Sequence, residues 1–262
     1  RCNSRVGNVI MSNFSDFIGG GGGTALETVI LTKSQTWTPP VNGTGIIHVI
    51  GAGASGTSDT SQFRSGGAGG YSRKAVTFAT GTNWTIVVGA GGMPTNINQV
   101  VIAGGNSTAS DGSSSLTANG AGTTGTGGTA SGGDVNFTGG TGGSGEQKGG
   151  GAVGVFANGS TSTSRVGGAT TDANGGAENG LVLGLGQLIG GVGGGAGQCG
   201  QNGGFLSGGG AARSSAGTDY CVGGSGGIGG GGGMAYNSAN AAFRFGGRGG
   251  DGLVVIQYLT VS

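Results

Sequence analysis

Gly223-Gly224-Ser225-Gly226-Gly227-Ile228-Gly229-Gly230 and Gly246-Gly247-Arg248-Gly249-Gly250-Asp251-Gly252 repeat one unit, Gly-Gly-x. Further copies stand at Gly139-Gly140-Thr141-Gly142-Gly143-Ser144-Gly145 and Gly190-Gly191-Val192-Gly193-Gly194-Gly195. Shorter ones occur at 66–70, 149–151, 167–168, 175–176, 203–204 and 208–210. A repeat of three residues is the period of the extended left-handed helix of the polyproline II type, which has no internal hydrogen bonds. Its N–H and C=O groups point outward, and any that are buried must find partners on a neighbouring rod. Side chains facing a neighbour would hold the rods apart, so the facing positions must be Gly, and only the outward position carries Thr, Ser, Val, Ile or Arg. Gly-Gly-x therefore predicts a polyglycine II bundle with rods of roughly 20 to 30 Å. Ordering these glycines costs on the order of 1 to 2 kcal/mol of backbone entropy per residue, with little apolar burial to offset it. Stability must come from hydrogen bonds between rods and from an anchor.

The anchor is legible on both sides of the Gly-rich region. Thr28 to Thr32, Ile46 to Ile50, Ala75 to Phe78, Trp84 to Val88 and Leu253 to Tyr258 are rich in β-branched and aromatic residues and bounded by turn formers. No segment sustains a 3.6-residue period with a cap, so almost no α-helix is expected. The predicted fold is mainly β and irregular, with N- and C-terminal strands in a small β-sandwich and a large inserted polyglycine II bundle. Residues 24–92 would form the sandwich, completed by 253–262, and 93–252 the bundle with its loops. Residues 1–23 read as a leader and a docking peptide. Arg1 to Ile10 would precede a natural start at Met11, and Phe14, Phe17 and Ile18 form an apolar cluster ahead of the flexible run Gly19 to Gly23. Packing of this stub on its own domain is the alternative.

Composition narrows the classes. Of 262 residues 73 are Gly and 3 are Pro, which excludes collagen, a fold that needs far more proline. A net charge of +1, 8% charged residues and 34% hydrophobic ones argue against disorder. The basic residues are scattered, so no stripe exists to neutralise phosphates, and nucleic acid is not an expected partner. No apolar run is long enough for a membrane helix, so no membrane insertion is expected. Cys2, Cys199 and Cys221 make no disulfide framework, leaving a Cys199–Cys221 pair as the one open possibility.

Catalytic motifs fail in context. Gly51-Ala52-Gly53-Ala54-Ser55-Gly56 follows a strand as GxGxxG, yet at this glycine frequency chance supplies several matches, no helix pattern follows, and no acidic residue stands about 20 positions on. Gly223-Gly224-Ser225-Gly226-Gly227 matches GxSxG, but the sole histidine, His48, shares a strand face with Ile46 and Ile50 and reads as structural. No metal-ligand spacing or phosphate-binding Gly-Lys-Ser/Thr occurs. The expectation is no enzyme, no cofactor and no metal.

Aromatic and charged residues collect between the Gly runs, where a bundle with a backbone interior presents its chemistry. Phe156, Arg165, Phe205, Tyr220, Tyr236, Phe243 and Arg244 are the candidate binding residues, alongside Phe63, Arg64, Arg213, Asp219 and Phe245. For each, the alternative is that it folds back to seal the bundle.

The segment Trp37-Thr38-Pro39-Pro40 to Ile50-Gly51-Ala52-Gly53, the start at Met11 to Gly23, the Gly-Gly-x runs and the closing Gly249-Gly250-Asp251-Gly252-Leu253-Val254-Val255-Ile256-Gln257-Tyr258 resemble bacteriophage tail-fibre and receptor-binding proteins. The middle part is similar to the polyglycine-bundle adhesins at the tips of T-even-type long tail fibres. The resemblance implies an extracellular virion component. Its loops would bind an outer-membrane protein or glycan, and Phe14, Phe17 and Ile18 would dock it on other tail proteins. A homotrimer and a monomer capping a fibre are both compatible. The chain departs from those adhesins in its β-rich first part. Two other readings stay open: a structural virion decoration or spacer, and an ice-binding protein, although the mixed residues at x give no regular ice face.

Overall fold

The computed structural model describes residues 24–57, 64–94, 100–144, 149–155, 157–162, 199–214, 221–237 and 244–261. In chain order the strands are β1 (Thr24–Leu31), β2 (Gln35–Trp37), β3 (Gly43–Ile50), β4 (Tyr71–Phe78), β5 (Trp84–Val87), β6 (Ser107–Ser110), β7 (Ser115–Ala118), β8 (Ala130–Ser131) and β9 (Val135–Phe137). Then come β10 (Ala212–Ser214), β11 (Cys221–Val222), β12 (Ala235–Asn237), β13 (Arg244–Phe245) and β14 (Leu253–Val261). No helix occurs among the described residues, whose regular structure is all β, as the patterning requires.

Two antiparallel sheets carry the anchor, one in the order β1-β14-β3-β4-β9 and the other β2-β5-β6-β7-β8. Alternation sets their inner faces: in β5, Trp84 and Ile86 are buried while Thr85 and Val87 are not. Ile47, Val49, Phe78, Val254 and Ile256 from the first sheet meet Trp84, Ile86, Leu116 and Ala118 from the second. Phe78 is the hub, edge-on to Trp84 at 5.9 Å and to Trp37 at 5.2 Å between ring centroids. The strands expected from the sequence are all present. The second sheet also takes β6 to β8 from residues 107–131, within the span expected to be bundle, because Ser-Thr-Ala-Ser and Ser-Leu-Thr-Ala place Ala109, Leu116 and Ala118 inward.

The described glycine-rich segments form rods, and their threefold symmetry is written in the hydrogen bonds; the copies at 167–168, 175–176 and 190–195 lie outside the described residues. Along 51–57 successive N–H groups turn to three different neighbours. Those of Gly51, Ala54 and Thr57 donate to the carbonyls of Gly70, Gly67 and Arg64, those of Ala52 and Ser55 to Gly105 and Ile102, and those of Gly53 and Gly56 to Gly250 and Gly247, at 2.8–3.1 Å. Donor and acceptor both step by three, which only a three-residue helix does; a strand would step by two. The same stepping recurs elsewhere. Gly139 and Gly142 donate to Gly128 and Gly125, Gly224 and Gly227 to Gly210 and Ser207, and Gly247 and Gly250 to Gly233 and Gly230. Descending acceptor numbers mark antiparallel rods. Ascending ones, as for Gly223 and Gly226 donating to Phe245 and Arg248, mark parallel rods.

Close approach explains the glycines. A Cβ on Gly53 would meet the Gly230 carbonyl oxygen at under 3.0 Å, a separation real Cβ atoms essentially never show. Where an N–H has no carbonyl to meet, a serine supplies the acceptor: Met234 N donates to Ser65 Oγ at 2.8 Å in a buried site, and Ile102 N to Ser55 Oγ at 2.8 Å. Ser65→Ala is accordingly expected to destabilise the chain by about 2 kcal/mol by stranding the Met234 amide. Urea unfolding measures it, and the threonine variant should recover part of the loss.

Rods and sandwich share an axis. β3 runs directly into rod 51–57, rod 64–70 returns into β4, and rod 244–252 feeds β14. Rod-to-rod turns at the sandwich end pack on the outer face of the first sheet, where Ile50, Tyr71, Leu253 and Val255 meet Val153, Val155, Leu206 and Ile228. Those turns carry Gly229 and Leu206 at φ 67° and 60°, and the full burial of Leu206 against the sheet holds it in a left-handed conformation that leucine otherwise avoids.

Candidate recognition end of the bundle

The chain directions fix two opposite ends. β14 runs antiparallel to both β1 and β3, so Thr24 and Val261 lie together at the end of the sandwich remote from the rods. At the other end lie Thr57 and Arg64, Ser144 and Gly149, Ser214 and Cys221, and Asn237 and Arg244, which are the rod ends joined by 58–63, 145–148, 215–220 and 238–243. Here rods 206–214, 221–227, 229–237 and 244–252 finish as short parallel strand pairs, β10 with β12 and β11 with β13.

Tyr236 stands at this end in β12, in register with Arg213 and half-buried. Arg64 is exposed here, its Nη1 donating to the Thr124 carbonyl at 3.1 Å. Val222 and Phe245, register partners across β11 and β13, are 37% and 38% exposed. Met93 and Val100, which flank 95–99, are exposed as well. Val222, Met93 and Val100 were not singled out by the sequence, since an apolar residue beside a Gly run looks the same whether it faces solvent or a neighbour.

Two candidates belong elsewhere. Arg244 is fully buried, because β13 alternates and Phe245 takes the outward position; it is a packing residue, not a free recognition group. Phe205 sits in the turn at the sandwich end and packs against the cluster of Tyr71 and Leu253, where it seals the sheet. Phe156, Arg165, Tyr220 and Phe243 lie outside the described residues, as do Phe14, Phe17 and Ile18. Cys199 is exposed with a free thiol, so it does not pair with Cys221. Among the described residues no group of three or more His, Cys, Asp or Glu side chains is placed to hold a metal ion, and no helix is long and apolar enough to cross a membrane.

Gly51-x-Gly53-x-x-Gly56 opens no helix. Its glycines are those of a rod, with Gly51, Gly53 and Gly56 each pressed against a neighbouring carbonyl. A family model described as a glycine-rich domain matches residues 28–259, from within β1 to within β14. The chain belongs to the glycine-rich domain family. All the described rods of this glycine-rich domain and both sheets, save the outer ends of β1 and β14, fall inside the match. No curated protein matches the chain.

Among the described residues, the titratable groups moved furthest from their ordinary values, His48 and Tyr71, lie away from the rod ends, on the outer face of the first sheet. His48 Nδ1 is 2.8 Å from Tyr71 Oη, and His48 Nε2 is 3.2 Å from Gln257 Oε1. The amide oxygen only accepts, so Nε2 carries the proton and Nδ1 accepts from the tyrosine hydroxyl. Burial lowers the histidine to about 4, against an opposing contribution from the Gln257 hydrogen bond, with the nearby Arg73 charge lowering it further. Burial raises Tyr71 to about 12. A neutral imidazole and a neutral phenol, both satisfied, make a structural cluster and not an acid–base pair. Asp251 plays a similar part between rods: Oδ1 accepts from Gly91 N at 2.7 Å and from the Arg248 guanidinium.

Proposed function

We propose that this glycine-rich domain is a phage tail-fibre adhesin, an extracellular part of the virion. It binds a bacterial surface receptor, an outer-membrane protein or a glycan, through the segments joining the rods at the bundle's far end. The observation that carries this reading is the polarity of the molecule. Thr24 and Val261, where the chain continues toward 1–23 and 262, lie at the sandwich end, and Tyr236, Val222 and Phe245 lie at the opposite end on rods held by main-chain bonds. Attachment to other tail proteins at the sandwich end then leaves the rod-joining segments pointing outward. Aromatic residues on rigid supports lose little conformational entropy on binding.

The test is retention of the fluorescently labelled chain on a panel of bacteria bearing outer membranes. On a strain that retains it, Tyr236→Ala, Phe243→Ala and Tyr220→Ala should together lower retention at least tenfold, while Val87→Ser on the sandwich leaves it unchanged. Equal thermal unfolding of the variants separates binding from folding. Retention indifferent to all the far-end substitutions overturns the adhesin reading, as does the lack of retention on every strain. The latter result favours a spacer, which needs only the saturated rods.

A further inference from the structure

The outer face of the first sheet is covered over Ile50, Tyr71, Leu253 and Val255 and bare along β1 and the end of β14. Near the rods Ile50, Tyr71, Leu253 and Val255 lie under Val153, Val155 and Leu206. Along the edge strand β1 and its neighbour toward Val261 the same face presents Leu26, Ile30 and Leu259, which are 62%, 45% and 44% exposed, Ile30 standing beside the covered Val255. They form one patch: Leu26 and Ile30 are four residues apart on β1, hence on one side, and Leu26 is the register partner of Leu259. Thr28 and Gln257 complete it with uncharged side chains, again as register partners. A sheet face of this kind in water calls for a cover.

From these positions we propose that the face is covered by the chain's own segment Asn13–Ile18, with Phe14, Phe17 and Ile18 against Leu26, Ile30 and Leu259. The chain enters β1 at Thr24, two residues from Leu26, about 7 Å along the strand. Between Ile18 and Thr24 stand only Gly19 to Gly23, and this span of six residue steps reaches at most about 22 Å. That length is enough to bring Ile18 back over Leu26 and Leu259, and glycine lets the chain reverse without steric penalty. Asp16 is the sole charged residue in the segment, so burial of its apolar side chains strands no other charge. The proposal does not depend on what the far end of the bundle binds.

Photocrosslinking decides it. In the full chain carrying Phe17→benzoylphenylalanine, irradiation at low concentration should give adducts on residues 26–30 or 255–259. In a mixture of isotopically light and heavy chains, those adducts should stay within one chain. Leu259→Asp, an exposed position where folding tolerates the change, should lower the adduct yield at least fivefold. Val87→Asp, on the outer face of the second sheet, should not. Adducts between chains would assign the face to a second copy and overturn the proposal. So would adducts on the rods, or a yield unchanged by Leu259→Asp.

Discussion

Gly231→Ala is expected to lower the free energy of unfolding by about 4 kcal/mol, and Gly43→Ala by less than about 1 kcal/mol. The two substitutions add the same methyl group to the same residue type. At Gly231 the new Cβ would lie under 3.0 Å from the Gly66 carbonyl oxygen and carbon, which are backbone and cannot rotate away. The rod must shift, and its bonds shift with it: Gly231 N donates to Gly151 O, and Gly209 N donates to Gly231 O, at 3.0 and 2.9 Å. Each broken bond strands a buried group at about 1 to 3 kcal/mol. At Gly43, in β3, the nearest atom to the added Cβ is the Leu259 carbonyl oxygen at 3.7 Å, an ordinary contact. Chemical denaturation of both variants measures the contrast. Equal, small losses would mean that the rods do not touch through their main chains.

Acidification from pH 7 to 4 is expected to remove about 3 kcal/mol of stability through His48. Its folded pKa of about 4 lies below the ordinary histidine value of 6.5. The unfolded chain therefore takes up the proton first as pH falls. The contribution is whole above 6.5 and is lost between 6.5 and about 4. Tyr71 does the converse on the alkaline side: raised from 10.0 to about 12, it favours the folded state below pH 10 and loses that advantage as pH rises toward 12. Denaturant midpoints across pH 3 to 11 should show both flanks. His48→Gln keeps a hydrogen-bonding side chain beside Tyr71 and removes the titration, so the slope between pH 6.5 and 4 should flatten. The Asp111 carboxyl, held low by hydrogen bonds from Ser113 and Ser114 against the opposing effect of burial, remains in that variant and governs only more acidic conditions. An unchanged acid slope would remove His48 from the account.

What the sequence disclosed followed from how strongly each signal exceeds its background. β14 and the second half of β3 are runs of Val and Ile, and Gly223 to Gly227 and Gly246 to Gly250 repeat their unit without interruption, so both the anchor and the rods were legible. Rod 51–57 was hidden, although it lies among three neighbours, because Ala52, Ala54 and Ser55 replace glycines there. Their small side chains fit gaps between rods, as Ala54 does beside Val101 and Ala121. β6 and β7 were hidden because Ser, Thr and Ala carry little hydrophobic contrast. At the candidate site Tyr236 was legible and Arg244 misleading. Which neighbour of a strand pair faces water depends on the register of β11 against β13, and that register is set by contacts far away in sequence.

The orientation of the rods has a mechanical consequence. Chain segments run along the line from Thr24 to the far end, and the bonds between them lie across it. Tension applied between those ends loads many amide–carbonyl pairs together in shear instead of peeling them singly. Such a body should yield abruptly and at high force, as a stiff strut between whatever holds its two extremities.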